Sequence, residues 1–350
     1  MLYLGRVFRV ELHNQLDVIV VMHSEKIDLL IQLHGLVENH LRRPRTIVAV
    51  TLTVLVNLVA CGGGSTNSNA NADAALPIPA TAPTPVLPPA PLIPVTPAVS
   101  PTSNAPSGYK LVWADEFATD GLPDSAKWNY DTEANRTGWY NNELQYYAPA
   151  RLENSRVSAG KLIIAARKEA LTSAADYGGQ AYTSARLVTR DRANWTYGFF
   201  EVRAKLPCGR GTWPAIWMLG TSDVPHPANG EIDIMEQVGK SPASIEATIY
   251  TAATGAMGGG ISAATKIGDA CTAFHNYQMT WTIDAIVIGV DNQPYFRYDN
   301  PTNRADAWPF DKPQYLILNL AIGGDMGGPV DNTIFPVQME VEHVRVYQKQ

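Results

Sequence analysis

Residues 200–205 read Phe200-Glu201-Val202-Arg203-Ala204-Lys205, apolar and charged in strict alternation. A period of two marks a strand with one face on a core and the other in water. Val341-Glu342-His343-Val344-Arg345-Val346-Tyr347 alternates in the same way near the end of the chain. Around them, short runs rich in β-branched and aromatic residues recur between Gly, Pro, Asn and Asp punctuation; Lys161 to Ala165, Tyr277 to Ile283, Ile286 to Val290 and Tyr315 to Leu320 are examples. No sustained amphipathic helical period interrupts them. The pattern argues against a parallel α/β fold and for one all-β sandwich over residues 107–350.

Composition supports that boundary. All 8 Trp lie at or beyond Trp113, and of the 15 Tyr only Tyr3 and Tyr109 come earlier. Aromatics therefore pack one part of the chain. A net charge of −6 among 350 residues argues against nucleic-acid binding, which favours a basic patch. No uniformly apolar stretch reaches the ~20 residues of a spanning helix, which excludes a polytopic membrane protein.

Upstream, Arg42, Arg43 and Arg45 precede an uncharged apolar run from Thr46 to Ala60, ending Leu58-Val59-Ala60-Cys61. A basic start, a short apolar run and small residues at the exit form an export signal. The ending resembles a bacterial lipobox, so residues 42–61 are expected to be a lipoprotein signal peptide with Cys61 the lipidated residue. Gly62 follows the Cys, which points to the outer membrane or cell surface. Residues 1–41 receive no function; a start site placed too far upstream accounts for so long a preamble. From Gly62 to Pro106 the only charged residue is Asp73, and 11 Pro fall between Pro77 and Pro106. Such a segment cannot bury enough apolar surface to fold and is expected to be a disordered tether. With Cys61 lipidated, Cys208 and Cys271 remain, and an even pair in an oxidising compartment reads as a disulfide.

The densest chemistry is Gly230-Glu231-Ile232-Asp233-Ile234-Met235-Glu236. On a regular strand Glu231 and Asp233 share a face while Glu236, five residues on, falls on the other. A β-bulge absorbing one residue, with Met235 the candidate, returns Glu236 to the acidic face. Crowded carboxylates then raise at least one pKa and divide the roles of acid and nucleophile. Retaining glycoside hydrolysis needs that division, with the two groups about 5–5.5 Å apart. Two plainer readings compete: a solvated acidic face, or oxygen ligands for a divalent metal. Trp213 and Trp217, just upstream in Gly211-Thr212-Trp213-Pro214-Ala215-Ile216-Trp217, favour sugar chemistry, although a lone Trp is more often core.

Glu-Ile-Asp-Ile-Met-Glu resembles the active-site signature of glycoside hydrolase family 16, in its bulged laminarinase-like form. Gly138 to Tyr147, Tyr197 to Arg203 running into Gly211 to Leu219, and Trp308 to Pro313 with Leu316 to Gly324 match the same group in the same order. The resemblance implies a β-jelly-roll sandwich of the concanavalin A-like lectin/glucanase type, with a substrate cleft on its concave sheet. It implies Glu231 as nucleophile, Glu236 as general acid/base and Asp233 as the group that orients the nucleophile. Trp213 and Trp217 match a stacking platform, and Asn142, Arg186 and Asn319 match sugar-contacting positions. It also implies a structural calcium near Glu116, the Gly160 carbonyl and Glu342, although the family usually has Asp at that last position. Tyr250 stands where many members have His, and Met326 where laminarinases commonly have Trp.

The expected activity is that of an endo-acting, retaining β-glucanase cutting internal β-1,3 bonds, and β-1,4 bonds in mixed-linkage glucans. It needs no catalytic cofactor, and the chain is expected to be a monomer held to a membrane through Cys61. The rivals are a family relative acting on a marine galactan, a transglycosylase, and a surface glycan-binding protein without turnover.

Overall fold

In the computed structural model, residues 6–12, 16–23 and 26–30 are described by their backbone, and 104–255 and 259–350 with their side chains. The chain divides into two units, Met1–Leu92 and Ile93–Gln350. In the first, strands Arg6–Leu12, Leu16–His23 and Lys26–Leu30 form an antiparallel meander. The export signal, Cys61 and all of the tether before Asn104 lie outside the described residues. Among the described residues, no helix is long and apolar enough to cross a membrane.

Besides a two-stranded parallel pair, Gln145–Tyr147 with Tyr182–Ser184, the second unit has two large antiparallel sheets. One has seven strands in the order Ile261–Lys266, Ser244–Tyr250, Glu231–Gln237, Thr212–Gly220, Gln314–Ile322, Arg186–Val188 and Asn129–Tyr130. The other runs Gln293–Asp299, Ala285–Val290, His275–Trp281, Gly198–Lys205, Val337–Lys349, Lys161–Ala166 and Ser155–Ser158, with Tyr109–Asp115 also paired to Val337–Lys349. Among the described residues, helix is confined to one turn each at Tyr140–Asn142 and Gly324–Gly327. The architecture is a jelly-roll sandwich: the alternating runs predict the sandwich, and the family resemblance implies the jelly roll.

The alternation explains which residues make the core. Phe200, Val202 and Ala204 point inward, as do Ile216 and Met218, Leu316, Leu318 and Leu320, and Val344 and Val346, all essentially inaccessible. Every second position is thus removed from water on both sheets, at ~25 cal/mol per Å² of apolar surface. The opposite face of the seven-stranded sheet remains for polar groups, and the acids lie there.

Cys208 and Cys271 form a disulfide with Cα atoms 5.6 Å apart, a normal span. It ties the end of the Gly198–Lys205 strand to the approach of the His275–Trp281 strand. The described residues of this unit start at Asn104, three before the expected domain boundary at 107. Asn104 Nδ2 donates to Glu201 Oε2 at 2.7 Å, so the last tether residues lie on the outer face of the eight-stranded sheet.

The residues expected to hold calcium are otherwise engaged. Both Glu116 oxygens accept from Arg345, Oε1 from Nε at 2.7 Å and Oε2 from Nη2 at 2.8 Å. That guanidinium holds the Glu116 carboxyl below its ordinary range. Glu342 accepts from Arg203 Nε at 2.6 Å, beside a register shift that interrupts the pairing at that point. Each of the two carboxylates is already paired with its own guanidinium, so Glu116 and Glu342 as placed do not fit the group.

Candidate active site

The strand Glu231–Gln237 pairs with Thr212–Gly220 on one side and Ser244–Tyr250 on the other. Its register shows the bulge directly. Asp233 lies opposite Trp217 and Met235 opposite Ile216, so Ile234 is the residue without a counterpart on that side. On the other side Asp233 pairs with Thr248 and Glu236 with Glu246, leaving Ile234 and Met235 together against Ala247. The bulge therefore includes the expected Met235 on one side and falls at Ile234, one residue earlier, on the other. Both side chains are apolar and both are buried in the core, which is why either can serve as the inserted residue. The outcome for the acids is the same: Glu231, Asp233 and Glu236 share the outer face.

Their surroundings separate them electrostatically. Asp233 is 2% exposed; burial, then the Glu231 and Glu236 charges, push its carboxyl well above the ordinary range. Its Oδ2 has no N–H or hydroxyl donor, and its hydrogen-bonding neighbour is Glu231. In its neutral form Asp233 can donate to Glu231, which gives the Oδ2 atom a partner. Glu236 is raised to about 7, chiefly by burial, with Glu231, Glu246 and Glu143 adding repulsion. Trp213 acts in the opposite direction, its Nε1 donating to Glu236 Oε1 at 2.9 Å. Burial thus favours the neutral form of Asp233 and poises Glu236 near neutrality, beside a third acid at the site's entrance.

A polar relay adjoins the acids. Trp217 Nε1 donates to Asn319 Oδ1 at 2.7 Å, and Asn319 Nδ2 donates to the Tyr147 hydroxyl at 3.1 Å. Arg186 pairs with Asn319 in register, and its guanidinium lies 5.1 Å from the Trp139 ring centre and 4.7 Å from that of Trp217. Asp131 Oδ2 pairs electrostatically with Arg186, 3.0 Å from its Nε. The structure therefore joins Trp213, Trp217, Arg186 and Asn319 to the acids. Asn142 stands apart, exposed on its turn, with Nδ2 donating to Asp325 Oδ1 at 2.8 Å. Trp213 differs from the expected stacking platform. At 6% exposed it offers almost no free ring face, and its N–H serves Glu236.

Sequence reasoning passed over several participants. Glu143 accepts from Gln145 Nε2 at 2.8 Å, and burial raises its carboxyl against the pull of Arg186. Glu246 faces Glu236 across the strand pair. Both could have been found: Glu143 by its spacing from Gln145 within a matched motif, Glu246 by its spacing of two and four from Thr248 and Tyr250. His226, whose Nε2 lies 2.6 Å from Glu231 Oε2, had no such signal, being a lone histidine in a loop with Pro225 and Pro227.

Residues 141–336, containing all three acids, match the family described as Glycosyl hydrolases family 16. The chain belongs to that family. A β-glucanase of Rhodothermus marinus is 48% identical over 255 residues, covering 69% of this chain and 85% of the relative. The crystal structure of SCLam, described as a non-specific endo-β-1,3(4)-glucanase of family 16, is 55% identical with a TM-score of 0.68, covering 71% of this chain and 94% of that one. The laminarinase structure from Rhodothermus marinus gives a TM-score of 0.64 at 48% identity, covering 69% and 97%. Family 16 membership makes this chain a glycoside hydrolase whose chemistry needs no cofactor, since proton and nucleophile both come from carboxyl groups.

Proposed function

We propose that the protein is an endo-acting β-glucanase that hydrolyses internal β-1,3 bonds, and β-1,4 bonds in mixed-linkage glucans, with retention. The observation that carries this reading is the bulged strand, which puts Glu231, Asp233 and Glu236 on one face and poises Glu236 near neutrality. The glucanase names of the similar proteins supply the substrate class.

In the mechanism, Glu236 protonates the glycosidic oxygen as Glu231 attacks the anomeric carbon, forming a glycosyl-enzyme. Glu236, now ionised, takes a proton from water as that water attacks the same carbon and frees Glu231. Asp233 keeps its proton and hydrogen-bonds through it to Glu231, which fixes the carboxylate's orientation. Trp213 holds Glu236 through one hydrogen bond. The Arg186–Trp217–Asn319 group forms the neighbouring wall, with polar edges for sugar hydroxyls.

Export to the outer membrane or cell surface, with Cys61 lipidated and a monomeric enzyme at the end of the tether, completes the reading. Its support is the Arg-flanked apolar run and the Leu-Val-Ala-Cys ending. An intact mass matching an acylated Cys61 at the mature N-terminus is the expected result.

The activity is tested by reducing-sugar release from laminarin, barley β-glucan and agarose, with Glu231→Gln as control. Release from laminarin, lost in the variant, is expected. Release from agarose alone would transfer the chemistry to a galactan. Binding of laminarin without turnover would make the protein a glycan binder.

A further inference from the structure

The loop between strands Thr212–Gly220 and Glu231–Gln237 brings His226 to Glu231. It is pinned on both sides of the histidine. Ala228 N donates to Pro225 O at 2.9 Å and Gly230 N to Pro227 O at 3.0 Å, while Gln314 Nε2 holds Asn229 O at 3.3 Å. The imidazole lies between two partners on the sheet. Its ring centre is 6.2 Å from that of Tyr250, the residue opposite Glu231 in register, and its Nε2 is 2.6 Å from Glu231 Oε2. The His226 side chain keeps 39% of its surface exposed and that of Glu231 16%, so the contact is at the cleft's edge and not in the core. Glu231 therefore has two close polar neighbours, Asp233 from the strand and His226, at ion-pairing distance, from the loop.

We propose that His226 is a positioning residue for the second half of the reaction. Its Nε2–H donates to Glu231 Oε2, turns Oε1 toward the anomeric carbon, and stabilises the charge that returns to the carboxylate when the glycosyl-enzyme breaks down. The proposal rests on Glu231 being the nucleophile. In the first step the Oε1–carbon bond forms, the bond to the departing sugar breaks, and that sugar's oxygen takes the Glu236 proton. Glu231 loses its negative charge here, so a donor on Oε2 gives no help. In the second step water bonds to the anomeric carbon and gives a proton to Glu236. The Oε1–carbon bond breaks and its electron pair returns to Glu231, where the His226 donor becomes stronger. A group that favours only the returning charge accelerates only that step.

The test uses the full chain with a 2,4-dinitrophenyl β-laminaribioside, whose good leaving group makes breakdown of the intermediate rate-limiting. His226→Ala is expected to lower kcat about tenfold, to retain the pre-steady-state burst of dinitrophenolate, and to leave kcat/KM within about twofold of wild type. His226→Gln, which can present an N–H at a similar reach, is expected to recover most of kcat. An equal fall in kcat and kcat/KM, or no change in either, would overturn the proposal. The role of Glu231 is checked separately: Glu231→Ala with added azide should form an α-glycosyl azide. Its failure to do so would remove the nucleophile, not only the histidine's part.

Discussion

Burying a carboxyl group beside other carboxyls favours its neutral form, and Glu236 is where that matters most for turnover. Raised to about 7 from an ordinary value of 4.5, it binds a proton in the folded chain that the unfolded chain has released across that interval. Its contribution to stability is complete below about 4.5 and is lost as pH rises through about 7. Glu236→Gln keeps an acceptor for Trp213 and removes the charge. We expect it to match wild type in stability near pH 4 and to exceed it by roughly 1–3 kcal/mol at pH 8, read by thermal unfolding at each pH. Activity has the same origin. The acid form of Glu236 is needed for the first step, so the rate should decline as pH rises through neutrality. Trp213→Phe removes the hydrogen bond that lowers this pKa, and the alkaline limb of the kcat/KM profile should move upward. A limb that stays in place would separate Trp213 from the proton's energetics.

At the scale of the element, the strand Glu231–Gln237 decides whether three acids make a site. The alternating pattern put Glu231 and Asp233 together, and the need for a bulge followed from counting to Glu236. Its position could not be read, because Ile234 and Met235 are both apolar and both acceptable to the core. The cross-strand partners choose between them, and those partners come from elsewhere in the sequence. His226 shows the same boundary: the loop's local bonds and the fold carry it to Glu231, and no spacing within the sequence announces that. Gly230, immediately before the acids, adopts φ +82°, and a Cβ there would come within 2.8 Å of Pro309 Cγ and 2.9 Å of Phe310 Cε1. Gly230→Ala should therefore destabilise the protein by roughly 1–3 kcal/mol and displace Glu231, lowering activity even where the chain remains folded. Calorimetry and laminarin assays on the same preparation read both effects.

For the whole molecule, the sandwich was legible because inward and outward residues alternate on nearly every strand, and the core lists them almost as the pattern does. The calcium set was less so: Arg345 and Arg203 are remote in sequence from Glu116 and Glu342, respectively, and only the paired sheets show that each carboxylate has its own guanidinium. The disulfide closes a loop across 63 residues. Cys208→Ser with Cys271→Ser should lower stability by about 2–4 kcal/mol without changing kcat, since the bond lies outside the acids' hydrogen-bonding network. Unfolding in denaturant, followed with and without reductant, measures it.

The central claim is that Glu231 becomes covalently bonded to sugar while Glu236 moves the proton. It is tested most directly by incubating the protein with a 2-deoxy-2-fluoro β-laminaribiosyl fluoride and mapping the adduct by peptide mass spectrometry. The account predicts one fluoroglycosyl group, carried on Glu231. A label on Glu236, or hydrolysis with inversion and no adduct, would contradict it.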